Sequence, residues 1–436
     1  MPSHSLVVKN AYLAAHDDLV DIAIDEGRIT SISPDPITGG ATTLDADGNL
    51  VSPPFVDCHM HLDKSHAACG HRTPRGHDET FDYRRLERLE SEYFSAATTA
   101  DITRNAIKNI QLAVANGTTQ IRSHVLIDNE LFGLQNLEAV LEAGRQTSDL
   151  VDLQIGPTAR HQETAAGQAF LADAIDHLLS AGLDRHAVFV GGDAPQSGQD
   201  DFDSVVAAWF EIAAAKDVGV DAHIPTPGSL GRFTLERMAA LTTQYGLAGR
   251  VTASHAFCLA HLPSWVQEET IAILADAGVG VATCHSSSRT TMPYRELRAA
   301  GVSLGQGTDN DRDFVILHGT ANQLEGAMVQ ANKLLVDSES TQEYRWYASN
   351  PGLRLLWEMI TDGSAELLGD QQYGIAEGAA ADLIILDRPS PEWCIAAQAT
   401  PRYVLKAGNI VAKDGRVVPE YRVIDTYDDV LAPPID

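Results

Sequence analysis

The chain has 436 residues, 44% of them hydrophobic and 21% charged, with a formal net charge of −29. That composition excludes a disordered chain, and no apolar run approaches the ~20 residues that a membrane-spanning helix requires. The length suits a barrel of roughly 250 residues or more with a smaller companion domain.

The opening Met1-Pro2-Ser3-His4-Ser5-Leu6 has no basic stretch and no long apolar run, so no secretory leader is expected. Short strands are predicted at Leu6–Val8, Leu19–Asp25, Arg28–Ser33 and Thr43–Asp45, punctuated by the turn residues Asp25-Glu26-Gly27 and Asp47-Gly48-Asn49. Residues 373–420 read the same way, with strands at Gly374–Ala376, Asp382–Leu386, Tyr403–Lys406 and Ile410–Lys413. The two ends, 1–52 and 373–436, are expected to pair into one small β-sandwich.

Between them, over 53–372, apolar strands alternate with helical stretches such as Ile102–Ala115, Leu137–Gly144 and Glu268–Ala277. Eight strands are predicted: Phe55–Asp63, Gln120–Ile127, Val151–Thr158, Ala187–Gly191, Val218–Ile224, Arg250–Ala256, Val279–Cys284 and Val302–Thr308. Eight such units closing on themselves make an α/β fold, a TIM-like (β/α)8 barrel. The polar segment 66–92 is an insertion after the first strand, placed to cap the mouth. Its His66, His71 and His77 are read as serving the insertion's own structure.

Five scattered cysteines with no C-x-x-C pair argue against a disulfide framework and for a reducing cytoplasm. The basic residues are 24 Arg and seven Lys, against 60 Asp and Glu. A surface this acidic repels nucleic acid and anionic membranes. It serves solubility or, as the sharper reading, adaptation to high salt.

The chemistry collects at the ends of the predicted strands, where barrel enzymes keep their sites. His59 and His61 lie two apart on a strand, so both rings project to one side. His223, His255 and Asp309 follow at the ends of the fifth, sixth and eighth strands. Imidazole and carboxylate donors suit a borderline divalent ion. A metal on His59, His61, His223 and Asp309, with Asp309 relaying a proton and His255 stabilising charge, points to metal-assisted hydrolysis. No G-x-S-x-G elbow, phosphate loop, dinucleotide fingerprint or H-E-x-x-H motif competes with that reading. Gln154 offers a paired donor and acceptor for a ring amide, or a core hydrogen bond. His124 lies near the end of strand two, and His285 ends strand seven as a pocket wall. Cys58 and Cys284 read as small core residues.

Several runs together resemble the amidohydrolase superfamily and its cytosine deaminase-like branch. They are Pro54-Phe55-Val56-Asp57, His59-Met60-His61 with Asp63-Lys64-Ser65, Thr252-Ala253-Ser254-His255-Ala256, Thr283-Cys284, Thr291-Met292-Pro293, and Asp309-Asn310 with Arg312-Asp313-Phe314. The resemblance implies one divalent ion, zinc or iron, on the four donors above, and a substrate that is a small nitrogen heterocycle losing ammonia or an alkylamine. It implies a homo-oligomer, and substrate contacts from Gln154, Asn310, Thr226 and Lys64, the last with a salt bridge as its alternative. Ring opening of a cyclic amide and a noncatalytic metal-binding scaffold are the competing readings.

Two positions depart from the branch. Cytosine deaminases carry a glutamate where this chain has Thr226, and a hydroxyl cannot replace a carboxylic acid as a proton shuttle. They carry a tryptophan where Val315 stands, and Phe314 is the expected substitute for that aromatic wall.

Overall fold

The computed structural model of the protein describes residues 4–16, 18–69, 83–194, 202–284, 292–337, 346 and 349–425. His71, His77, His285 and Thr291 lie outside these residues.

The N-terminal strands β1 (His4–Ala11), β2 (Val20–Asp25), β3 (Arg28–Ser33) and β4 (Gly40–Asp45) form one sheet in the order β3-β2-β1-β4. β1 runs antiparallel to β2 and parallel to β4. The chain then enters a second sheet through the two-residue β5 (Val51–Ser52) and passes directly into the barrel.

The barrel strands are β6 (Phe55–Met60), β7 (Thr118–Ile127), β8 (Asp152–Ala159), β9 (Phe189–Asp193), β10 (Gly219–His223), β11 (Val251–Ser254), β12 (Val279–Cys284) and β13 (Leu304–Gly307). They form one eight-stranded sheet in unbroken sequence order. The paired neighbours are parallel, and β6 and β12 are buried at every position, as strands covered on both faces must be. Helices Thr99–Ala115, Gln135–Gln146, Ala165–Ser180, Phe202–Lys216, Gly228–Tyr245 and Ser264–Ala277 fill the crossovers. The first begins at a capping box, in which the Thr98 hydroxyl accepts from the Asp101 amide and the Asp101 carboxylate accepts in return.

Closure of the barrel brings the last strand to the first. The Asp309 amide donates to the His59 carbonyl at 2.8 Å, and the His61 amide to the Asp309 carbonyl at 3.0 Å. Gly307 makes this approach feasible. A Cβ there would stand 2.2 Å from the His59 carbonyl oxygen and 2.6 Å from its Cβ, both beyond what a flexible side chain could relieve.

After the barrel, β14 (Leu383–Leu386), β15 (Pro401–Lys406), β16 (Asn409–Lys413) and β17 (Arg416–Val417) join β5 in the order β17-β16-β15-β14-β5. Leu6, Val8, Ile22 and Ile24 of the N-terminal sheet share one apolar cluster with Leu383, Ile385 and Leu405 of this one. Among the expected strands, Gly374-Ile375-Ala376 is irregular instead, because the chain turns through Glu377-Gly378 and the Gly378 amide bonds back to the Ile29 carbonyl. Four barrel strands end earlier than their apolar runs suggest, at Met60, His223, Ser254 and Gly307. His61, His255 and Asp309 therefore sit on the turns just beyond.

Candidate metal centre and active site

His255 and Asp309 both adopt left-handed backbone, with φ of 71° and 65°, and Ala256 follows at 46°. Left-handed conformations cost L-residues energy and collect where a side chain must be aimed. Here they turn His255 and Asp309 back over the barrel axis. His59, His223, His255 and Asp309 are buried, and His61 reaches the same chamber from the turn after β6.

Three donor contacts stand near the separation an ion imposes on its ligands. His61 Nε2 is 3.2 Å from His223 Nε2 and 3.3 Å from Asp309 Oδ1, and His59 Nε2 is 3.5 Å from the same oxygen. Ligands about 2.0–2.1 Å from a tetrahedral ion stand about 3.3–3.4 Å apart. His223 Nδ1 donates to the Gly192 carbonyl at 3.0 Å, which leaves the Nε2 lone pair facing inward. Neither ring nitrogen of His59 has a hydrogen-bond partner among the described residues. Burial pushes the His61 and His223 pKa values down, and His255 down to about 3. Burial acts to raise Asp309, but its close ion-pair contacts with His59 and His61 outweigh that and hold it well below the usual carboxylate range. Burial acts to lower His59, but Asp309, Asp221 and Asp57 outweigh it and raise its pKa. An ionised carboxylate beside imidazole nitrogens suits a divalent cation, which would take the place of the proton His59 otherwise holds.

The structure brings in residues that the sequence reading left aside. His124, within β7, lies 4.3 Å from His223 and 4.5 Å from His59, ring centre to ring centre. Two residues before His59, Asp57 accepts from the Thr308 hydroxyl at 2.7 Å, the Thr308 amide at 3.1 Å and the His59 amide at 3.2 Å. That single carboxylate, its pKa pushed up to about 7 by burial, ties β6 to the turn carrying Asp309. Two residues before His124 and His223 stand Arg122 and Asp221, paired at 3.1 Å. Asp221 also accepts from Ser254 at 2.6 Å and lies 3.4 Å from His124 Nε2. The pattern behind them, a charged residue two positions before an inward histidine, is visible in the sequence. Which residues they meet is not.

Gln154 takes its core hydrogen-bond alternative. Its carbonyl accepts from Arg122 Nε at 2.9 Å and its amide donates to the Leu368 carbonyl at 2.7 Å, so both ends are committed in the layer below the histidines. It pairs in register with Arg122, not with His124, which places it at the level of the Arg122 guanidinium. Lys64 takes its salt-bridge alternative, meeting Glu90 at 3.2 Å, and Glu90 also meets Arg160 at 3.5 Å. These ion pairs fasten helix Tyr83–Ala96 over the loops that follow β6 and β8. Phe314, expected as a pocket wall, is 1% exposed in an apolar cluster with Ala67 and Leu86, beside Tyr93. It is used up in holding that same helix. Asn310 donates to Asp313 at 2.5 Å, and the buried Thr226 hydroxyl has no hydrogen-bond partner among the described residues. His66 ties the start of the insertion to the Asp311 carbonyl through its amide, at 3.0 Å. β9 contains no lysine, so the bridging residue of a two-metal centre is missing from that strand.

Residues 104–412 match the amidohydrolase family, and the chain belongs to it. It is a hydrolase of carbon–nitrogen bonds other than peptide bonds, in a family whose members depend on metal. It is 35% identical over 417 residues to N-isopropylammelide isopropyl amidohydrolase of Pseudomonas sp. (strain ADP), covering 95% of this chain and 98% of that one. It is 26% identical to a pterin deaminase of Rhizobium rhizogenes, over 93% of this chain and 90% of the relative. The crystal structure of N-isopropylammelide isopropylaminohydrolase from Burkholderia multivorans superposes with a TM-score of 0.80 at 29% identity, covering 95% of this chain and all of that one.

Proposed function

We propose that the protein hydrolyses an exocyclic carbon–nitrogen bond of a small nitrogen heterocycle, cytosine-like or N-alkylammelide-like, and releases ammonia or an alkylamine. The observation that carries this reading is the meeting of donor atoms at 3.2–3.5 Å, His61 with His223 and both His59 and His61 with Asp309. These four residues would hold one divalent ion, with zinc favoured by the three imidazoles. Such an ion, when bound, acidifies water and polarises the carbon under attack. Asp309 takes the proton of the attacking water and hands it to the departing nitrogen. His255, neutral at pH 7, donates an N–H to the negative charge that develops on the ring. Thr226 and the Asn310 carbonyl are the polar groups offered to the substrate, and Lys64 keeps a positive charge at the mouth.

The experiment is release of ammonia and amines from cytosine, isocytosine, creatinine, ammelide, pterin and N-alkylammelides by protein of assayed metal content. Turnover of any member supports the reading, with alkylamine release naming the triazine arm. Ring opening without amine release, or silence from protein with one metal per chain, overturns it.

The same reading divides the chain into a barrel over 53–372 and a smaller unit from 1–52 and 373–436. The resemblance supports a homo-oligomer. Five free cysteines support a reducing cytoplasm, and the net charge of −29 supports high salt and no nucleic-acid partner. Among the described residues, no helix is long and apolar enough to cross a membrane. A melting temperature that rises with KCl is expected, and a flat series would remove the salt adaptation.

A further inference from the structure

The chamber presents a second, overlapping set of donors. His59, His255, Cys284 and Asp309 each offer one ligand atom, all within 4.8 Å of one another and all buried. Cys284 is the last residue of β12, one strand from β11, whose end carries His255, and one from β13, whose end carries Asp309. The four donors thus come from adjacent strand ends on one side of the barrel and from His59. Nδ1 of His255 and both ring nitrogens of His59 are buried with no hydrogen-bond partner among the described residues. The other three described thiols that are buried, Cys58, Cys258 and Cys394, belong to no such cluster.

Exchanging the His61 and His223 nitrogens for one sulfur and one imidazole changes what the set prefers. Thiolate is a soft donor, and soft donors favour polarisable d10 ions over harder divalent ones. We propose that His59, His255, Cys284 and Asp309 form a second ion position in this chamber, selective for thiophilic ions, and that an ion there competes with the one held by His59, His61, His223 and Asp309. The competing half of this inference rests on the metal centre proposed above. His59 and Asp309 belong to both sets, so occupancy of one position strips the other of two donors. On binding, the Cys284 S–H bond breaks, its proton leaves to solvent, and a sulfur–metal bond forms, with no change of oxidation state.

The test is Cd2+ titration of the full chain carrying Cys69→Ser, which removes the exposed thiol. Two readouts are followed, the ultraviolet sulfur-to-cadmium charge-transfer band and zinc appearing in a chromophoric chelator. One band equivalent per chain is expected, with release of one zinc. Adding Cys284→Ala should abolish the band and weaken Cd2+ binding about 100-fold or more, as loss of a direct ligand does. Co2+ bound to the same variant should keep the ligand-field spectrum of a nitrogen and oxygen site, which shows that the chain is folded and the first position intact. A band that survives Cys284→Ala, or no band with Cys284 present, overturns the second position. Cadmium binding without zinc release overturns the competition. None of these signals depends on turnover, so a failed substrate panel and a failed second position are told apart.

Discussion

The inward residues of β6, β7 and β10 come in pairs two positions apart, and the two layers they form differ. In the lower layer, Asp57 accepts three hydrogen bonds, and Arg122 donates to Gln154, Asp221, Thr252 and the Leu367 carbonyl. In the upper layer, His59 and His124 have ring nitrogens with no hydrogen-bond partner among the described residues, and His223 aims a lone pair at His61. Buried polar groups are normally paired, because leaving one unpaired costs about 1–3 kcal/mol. The upper layer is therefore shaped for a cation, while the lower one satisfies itself and holds the strand ends in place. Rigidity and reactivity are separated by one step of the pleat.

That division can be broken from either side. The largest effect is expected at the top: Asp309→Asn should cut turnover by a factor on the order of 10³ or more, since several kcal/mol of charge stabilisation go with the ligand. Metal content by mass spectrometry should fall with it, while the urea midpoint of the metal-free chain should not drop. Unchanged turnover would remove Asp309 from the chemistry. At the bottom, Arg122→Met leaves Asp221 buried beside His124 without its cation. Removing one partner of a buried pair costs about 3–5 kcal/mol, which a urea titration would register directly. A shift under about 1 kcal/mol would mean that the lower layer is not the support inferred for it.

Gly307→Ala probes the seam where both layers close. The new methyl meets backbone, not a movable side chain, so a loss of about 1–3 kcal/mol is expected together with weaker zinc binding. Intact zinc affinity in a destabilised variant would separate closure from the ion site. The smallest effect concerns pH. Burial lowers the His66 pKa to about 3, against an ordinary value of 6.5. The unfolded chain then binds more protons between those values, so the stability is present above pH 6.5 and is lost as pH falls toward 3. His66→Gln should remove about 2 kcal/mol of the difference between pH 7.5 and pH 5. Asp57 and Asp63, raised by burial to about 7, act in the opposite sense, so it is the variant's difference from the parent that is informative. An identical pH slope in both proteins would show His66 protonated in the fold.

Much of the fold is written in local pattern. Apolar runs separated by turns mark the barrel strands, because each must be buried on both faces, and the H-x-H pair announces its own geometry through the two-residue period of a strand. His223, His255 and Asp309 are found by the same logic, His223 as the last residue of β10 and the other two one and two residues beyond β11 and β13. What the pattern does not reveal is height within the barrel. Gln154 and His124 both lie inside predicted strands, yet one is spent on Arg122 and the other faces His59 and His223. That depends on the stagger between neighbouring strands, which no single strand encodes. Cys284 reads as a core residue for the same reason, and Phe314 as a wall until helix Tyr83–Ala96 packs over it.

By itself, then, the sequence determined the parallel barrel, the companion sheets at the chain ends and the residue types gathered for metal-assisted hydrolysis. These follow from periodicities of two and 3.6 residues, which act over a few positions. Only the tertiary structure decided which donors share the chamber, which charges neutralise one another beneath it, and that a thiol stands among the imidazoles and the carboxylate. Those outcomes are set by closure of β13 onto β6 and by strand stagger, interactions between residues some 250 positions apart such as Asp57 and Thr308.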